Sequence, residues 1–270
     1  MPAALAAADQ FMSDPVWSAA PGNPEQAAWL ESFRRRAGLA SNMEEIHRNA
    51  TESAADHVAW LKSEGWDAQI TQGTEKDIFL ASTLNIVAKW KQLGRAYDDH
   101  GVDRVLLKTG AYTSPALSNE RPVVEVVTQH PRFSFCFQQV DAAPASRAEL
   151  ADRALNMASR SASDAIALDF PMVDMLVRDD AKYMIGLRSG LNVVTQAAEQ
   201  LRLELNEVGG RASAAAEVAV TRGAGPRTVK IDGPFIVAIN RNGAPVNADK
   251  VVFAAYVDRD AWRKPASGRI

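Results

Sequence analysis

The sequence predicts an α+β domain, and three observations carry that prediction. Helical spacing of apolar residues concentrates in the first third of the chain. Runs rich in β-branched and aromatic residues fill the middle and the end. A serine-led capping box between those runs marks a further helix in the second half. The 270 residues suffice to bury a sizeable core, and 47% apolar with 23% charged residues is the balance of a folded globular chain.

Taken in order, Ser41-Asn42-Met43-Glu44 has capping-box spacing, so a helix is expected to begin there. Ala55, Val58, Ala59 and Leu61 recur at helical spacing within Glu52 to Glu64, and Gly65 is placed to end that helix. Asp77 to Trp90, "DIFLASTLNIVAKW", is a long apolar run that fits a strand buried on both faces, with a buried helix as the alternative. "PVVEVVTQ" and "RFSFCFQQV" read as strands separated by His130-Pro131. In the second, Phe133, Phe135 and Phe137 share one face and Cys136 takes the other, as a plain packed thiol. Ser146-Arg147-Ala148-Glu149 opens a helix to about Ala158, and Asp174 to Leu187 reads as two short helical turns. "FIVAI" and "VVFAAYV", Phe235–Ile239 and Val251–Val257, are strands joined across an Asn242-Gly243 turn signal.

Several functions are disfavoured. A net charge of −3 without a basic patch argues against a nucleic-acid partner. A single cysteine allows no disulfide within the chain. No apolar run is long enough to span a bilayer, and the start lacks a signal-peptide pattern, so no membrane partner and a cytoplasmic location are expected. No hydrolase elbow, metalloprotease helix, phosphate loop or paired-cysteine metal spacing is present. Asp98-Asp99-His100 lacks a third ligand at suitable spacing and reads as a solvated loop. No metal, no cofactor and no enzymatic activity are therefore expected.

The most informative stretch is "LRLELNEVGGRASAAAEVAVTRGAG", Leu201 to Gly225. Leu201, Leu203 and Leu205 alternate with Arg202, Glu204 and Asn206, the pattern of a half-buried strand. Val208-Gly209-Gly210 breaks it. Positions 210, 212, 214, 216, 218 and 220 then read Gly, Ala, Ala, Ala, Val, Val, while the odd set from Arg211 carries every polar group. Three readings fit: an Ala-rich helix, an ordinary hairpin turning at Gly209-Gly210, or a segment that alternates between exposed loop and strand. Small residues suit the last, since each extra CH₂ exposed in the loop state costs about 0.8 kcal/mol.

With "VKIDGPFIVAI" and "VVFAAYV" following it, this stretch resembles the carboxy-terminal signature of the serpins. Asn206, Glu207 and Gly209 match the acidic turn, Ala212 to Ala215 the small hinge, and Pro234-Phe235 the Pro-Phe pair. "DIFLASTLNIVAKWK" is similar to the family's central strand, with Trp90 as its terminal tryptophan, and "AADHVAWLKSEGW" resembles the helix across the large sheet. The resemblance implies a large mixed β-sheet with helices and an exposed reactive loop near the C-terminus. It covers about Ala54 to Val257, so residues 54–270 are expected to form one serpin-like domain. Residues 1–53 match poorly and read as a helical segment, as if the amino-terminal part were shortened.

The implied function is suicide inhibition of a trypsin-like serine protease, the partner in a covalent acyl-enzyme complex. The alternative is a non-inhibitory binding or structural protein of the same fold, with an unrelated enzyme behind both. The resemblance assigns the hinge to Glu207, Gly209, Gly210, Ala212, Ala214 and Ala216, and the sheet-opening region to Trp90, Ser82 and Glu199. Counting along the loop places the reactive bond at Arg222 or Gly223, and arginine favours Arg222-Gly223. The chain departs from the family pattern at Gly210, where threonine or serine is usual, at Arg211, where glutamate is, and at Ala216, where threonine is. The Ala- and Arg-rich usage is that expected of a GC-rich bacterial genome.

Overall fold

The computed structural model describes residues 5, 7–10, 12, 16–31, 44–73, 77–114, 121–160, 162–179, 181–210, 227–244 and 250–266. The chain divides into two compact units, Met1–Asn85 with Val177–Leu201, and Ile86–Leu176 with Arg202–Ile270.

In the first unit, β1 (Ile46–Thr51) pairs antiparallel with β2 (Phe79–Leu84), and α1 (Ala54–Ser63) lies between them in sequence. The Ser53 side chain caps α1 by accepting from the Asp56 amide at 3.2 Å. Gly65, at φ +83°, lets the chain leave the helix end. Glu64 there accepts from Thr83 Oγ1 at 3.0 Å and meets His47 Nδ1 at 2.7 Å. The only fully buried side chain of α1 is His57. Its ring lies 5.3 Å from that of Phe79. Burial pushes the His57 pKa below the ordinary imidazole value. A separate core packs Leu5, Ala8, Trp17 and Leu30 against Met184 and Leu187. The short ribbon of β10 (Arg188–Ser189) and β11 (Asn192–Val193) belongs to this unit as well.

The helical reading of the first third is corrected at β1, which is a strand. Of the first capping box, Ser41, Asn42 and Met43 lie outside the described residues, and Glu44 stands in a turn entering β1. The single strand expected over Asp77–Trp90 is also corrected. It is two strands, β2 and β3 (Ala88–Lys89), with Asn85–Val87 between them. In β2, Phe79, Ala81 and Thr83 are buried and the alternate residues are only partly so. An apolar run without polar alternation does not report such a break.

The second unit carries an eight-stranded mixed sheet in the order β14 (Thr228–Lys230), β8 (Asp164–Pro171), β5 (Val102–Thr113), β6 (Val124–Val127), β7 (Phe133–Gln139), β15 (Phe235–Arg241), β16 (Val251–Val257). β4 (Arg95–Asp99) pairs beside β6 on the long β5. The switch from β4 to β6 falls at an irregularity between Leu107 and Ala111, where Gly110 has φ +80°. The parallel pair is β14 with β8; the other pairs are antiparallel. A second sheet has the order β3, β13 (Gly209–Gly210), β12 (Glu199–Leu205), β9 (Val173–Asp179).

The alternation in "RFSFCF" places the two faces of β7 as expected. Phe135 and Phe137 join Trp90, Phe170 and Phe235 in an aromatic core. Cys136 turns the other way, into the cluster of Val123, Ile236 and Ala238 with Ala154 and Met157 of α2 (Arg147–Ala158). Its thiol accepts from Asn240 Nδ2 at 3.0 Å, and burial raises its pKa far above the usual thiol value. The α2 capping box forms: Ser146 Oγ accepts from the Glu149 amide at 3.1 Å. The Glu149 carboxylate reaches one residue past the cap, accepting from the Ala145 amide at 2.6 Å.

Two further expectations change in this sheet system. The first half of Asp174–Leu187 is strand β9, and only Lys182–Met184 makes a helical turn, of 3₁₀ type. Asp98-Asp99-His100 is not a loose loop. His100 and Gly101, at φ +56° and +87°, form the two-residue turn of the β4–β5 hairpin, with Asp99 opposite Val102.

Candidate functional site

The segment 211–226 lies outside the described residues, and with it Ala212, Ala214, Ala216, Arg222 and Gly223. The structure describes the residues on its two sides, Gly209–Gly210 before it (the leaving end) and Thr228–Lys230 after it (the rejoining end). Both belong to the second unit.

The leaving end is β13. After Leu205 the chain turns through Asn206, whose side-chain oxygen accepts from the amides of Val208 at 2.8 Å and Gly209 at 3.1 Å. The Asn206 amide donates to Gly209 O at 3.1 Å, so Gly210 returns opposite Leu205. The reversal therefore lies at Asn206–Val208, where the resemblance puts the acidic turn, and not at Gly209-Gly210 as in the plain-hairpin reading. On its other side β13 pairs with β3, Gly209 opposite Lys89 and Gly210 opposite Ala88. Gly209 and Gly210, just ahead of that segment, are thus a strand between β12 and β3.

That position leaves no room for side chains. A Cβ on Gly209 would stand 2.4 Å from Ala88 O and 2.7 Å from Lys89 Cα. A Cβ on Gly210 would stand 2.7 and 2.8 Å from two ring carbons of Phe135. Trp90 fixes the surroundings. Its amide donates to Val208 O at 3.1 Å, and its indole N–H donates to Asn206 O at 2.8 Å. Its ring packs edge-on against Phe135, centroids 5.2 Å apart, and against Phe170 at 6.0 Å. Glu207 is tied through its backbone, its carbonyl accepting from the Gly94 amide at 2.7 Å.

The rejoining end is β14, paired parallel with β8 and held by charge as well. Buried Arg104 donates from Nε to Asp169 Oδ1 at 2.9 Å and from Nη2 to Ile231 O at 2.7 Å, just past β14. Tyr97 donates to Asp169 Oδ2 at 2.6 Å. Lys230 Nζ meets Asp99 Oδ2 at 2.8 Å. Desolvation, then the Asp169 carboxylate, pushes the Tyr97 pKa up. The Lys230 hydrogen bond holds Asp99 below the usual carboxylate range, and Asp99 in turn raises Lys230.

Of the residues assigned from sequence, Trp90, Glu207, Gly209 and Gly210 come together at the leaving end. Ser82 and Glu199 belong to the first unit, Ser82 on β2 opposite Arg48 and Glu199 at the start of β12. Sequence reading passed over Phe135 as a partner of Gly210, and over Arg104, Asp169, Tyr97 and Lys230 altogether. The one signal for the latter was Arg104 within an otherwise apolar stretch, "VDRVLL". Glu204, expected to face outward, is instead buried beside Arg202, whose Nη2 it meets at 2.6 Å. Among the described residues no three His, Cys, Asp or Glu converge as metal ligands.

Three solved structures show what this arrangement belongs to. Serpin48 of the insect Tenebrio molitor, described as a highly specific serpin, superposes with a TM-score of 0.54 over 95% of this chain and 94% of its own, at 12% identity. A serpin of the trematode Schistosoma haematobium gives 0.55 over 95% and 96%, at 11% identity. Human thyroxine-binding globulin, solved with thyroxine, gives 0.55 over 94% of each chain, at 11% identity. The fold is the serpin fold. The coverage reaches well outside Ala54–Val257, and it lends no support to an amino-terminal shortening. No protein-family model and no curated protein matches the chain. Among the described residues of this serpin fold, no helix is long and apolar enough to cross a membrane.

Proposed function

We propose that the chain is a suicide-type inhibitor of a trypsin-like serine protease, with residues 210–225 as the bait loop and Arg222-Gly223 as the reactive bond. The observation that supports this reading is β13: the start of the loop is seated as a strand between β12 and β3. The protease serine attacks the Arg222 carbonyl carbon, the Gly223 amine leaves, and an acyl-enzyme remains. The freed loop extends β13. Ala212, Ala214 and Ala216 follow Gly210 onto the face above Phe135, because alternate residues of a strand share a face. Trp90 stands at the sheet-opening region, and Glu207 is in the turn from which the hinge swings. The protein supplies no catalytic residue; its contribution is a strand that pairs after cleavage and drags the protease with it.

The experiment is a denaturing gel of the protein mixed with trypsin. A detergent-resistant band at the summed mass is expected, together with a rise in the thermal midpoint of loop-cleaved protein. Ala214→Arg should leave the loop cleavable and abolish the band, because insertion would bury an unpaired charge. Cleavage near Arg222 with neither band nor stabilisation would overturn the inhibitory reading. It would leave the non-inhibitory one, a binding or structural protein, which the likeness to a structure named for binding thyroxine favours.

A further inference from the structure

We propose that Phe135 is a positioning residue for the loop: its ring occupies the volume of a side chain at 210, and so fixes that position as glycine and sets the depth at which the loop is seated. The role of the loop itself rests on the reading above; the packing relation between the two residues does not.

The two glycines of β13 are excluded from carrying a side chain by different things. At Gly209 the obstacle is backbone, Ala88 O and Lys89 Cα, belonging to the strand that β13 pairs with. It cannot move without separating β13 from β3. At Gly210 the obstacle is the end of one aromatic ring, with Leu205 Cδ2 at an ordinary 3.6 Å. That ring has nowhere to go, because Phe135 is 1% exposed and packs edge-on against Trp90, itself 1% exposed. Trp90 in turn is held by its indole bond to Asn206, at the turn that starts β13. Ring, tryptophan and turn form a closed circuit.

This arrangement makes a prediction that separates the two glycines. An obstacle made of one side chain is removable by trimming that side chain; an obstacle made of backbone is not. The experiment is a double-mutant cycle on the full chain. Gly210→Ala and Gly209→Ala are each made in the parent and in Phe135→Leu, and thermal midpoints are read. Gly210→Ala in the parent should cost roughly 4 °C or more, as overpacking does in a domain of this size. On Phe135→Leu the same change should cost less than half as much. Gly209→Ala should cost the same on both backgrounds. Equal losses for Gly210→Ala on both backgrounds, or no loss on either, overturn the proposal. If Phe135→Leu does not fold, Phe135→Met replaces it, since its flexible end yields to the new methyl.

A second readout concerns the loop. With trypsin, Gly210→Ala should shift the outcome several-fold from trapped complex towards cut product, and Phe135→Leu should restore most of the trapping. A merely destabilised scaffold would not recover trapping on a second core substitution. If the parent itself never traps trypsin, the inhibitor reading fails, while the thermal cycle still decides the role of Phe135.

Discussion

The residues on the two sides of the segment 211–226 are both paired in sheets, and they differ in what is added to that pairing. The leaving end, Gly209-Gly210, is held by shape: backbone pairing on both sides and an aromatic floor of Trp90 and Phe135. The rejoining end is pinned by Arg104, Asp169, Tyr97, Asp99 and Lys230. Backbone pairing repeats along a strand, so the first kind of attachment can be extended residue by residue. A buried ion pair has one geometry and cannot slide.

The largest expected effect comes from breaking the pinned end. Asp169→Ala removes one partner of a buried ion pair and strands the Arg104 guanidinium, which costs about 3–5 kcal/mol. Urea unfolding should show it, and a loss under 1 kcal/mol would mean that water solvates Arg104 freely. Next is the seated end. Trp90→Phe loses the indole bond to Asn206 and part of the ring volume, a cost of about 2–3 kcal/mol. Amide exchange at Val208–Gly210 should accelerate while Lys230 and Ile231 keep their protection. Acceleration at both ends would collapse the distinction.

A pH step falls outside that comparison and probes His57 of the first unit. His57 on α1 is neutral in the fold, its pKa depressed by burial. Its contribution is full above the ordinary imidazole pKa of about 6.5. It is lost as pH falls below that value, because the unfolded chain takes up the proton first. Stability should drop between pH 7.5 and 5.5, and His57→Leu should flatten that slope. An unchanged slope in the variant would assign the titration elsewhere. The smallest effect is Lys230→Gln, which removes an exposed pair with Asp99. A slight loss at low salt that vanishes at high salt is expected. A loss that persists in salt would place the Lys230 ammonium inside the clamp.

Much of this was legible beforehand. The alternation in "RFSFCF" divides the faces of β7 correctly, because strand neighbours must point to opposite sides whatever the surroundings. Ser146 and Glu149 start α2 because capping is local chemistry. The Phe235–Val257 hairpin follows from its strand and turn residues in the same way, whereas the helix over Glu52–Glu64 forms with Ala55 and Ala59 exposed and His57 as its buried side chain. Where the reading failed, the deciding contact was distant. Ile46–Thr51 carries two apolar residues, Ile46 and Ala50, and becomes a strand because β2 offers it a partner. Val173–Asp179 is a strand beside β12 for the same reason. The Arg104–Asp169 pair joins residues far apart in the chain, and no spacing rule links them.

By itself, then, the sequence determined the elements whose cause is local: caps, turns, face alternation, and the small residues of the stretch that resembles a serpin hinge. Only the tertiary structure decided that Gly209 and Gly210 must be glycines here, and that they are so for different reasons. A glycine's sequence neighbours report that the backbone is unencumbered. They do not report whether backbone or a ring from another strand fills the space where its side chain would have been.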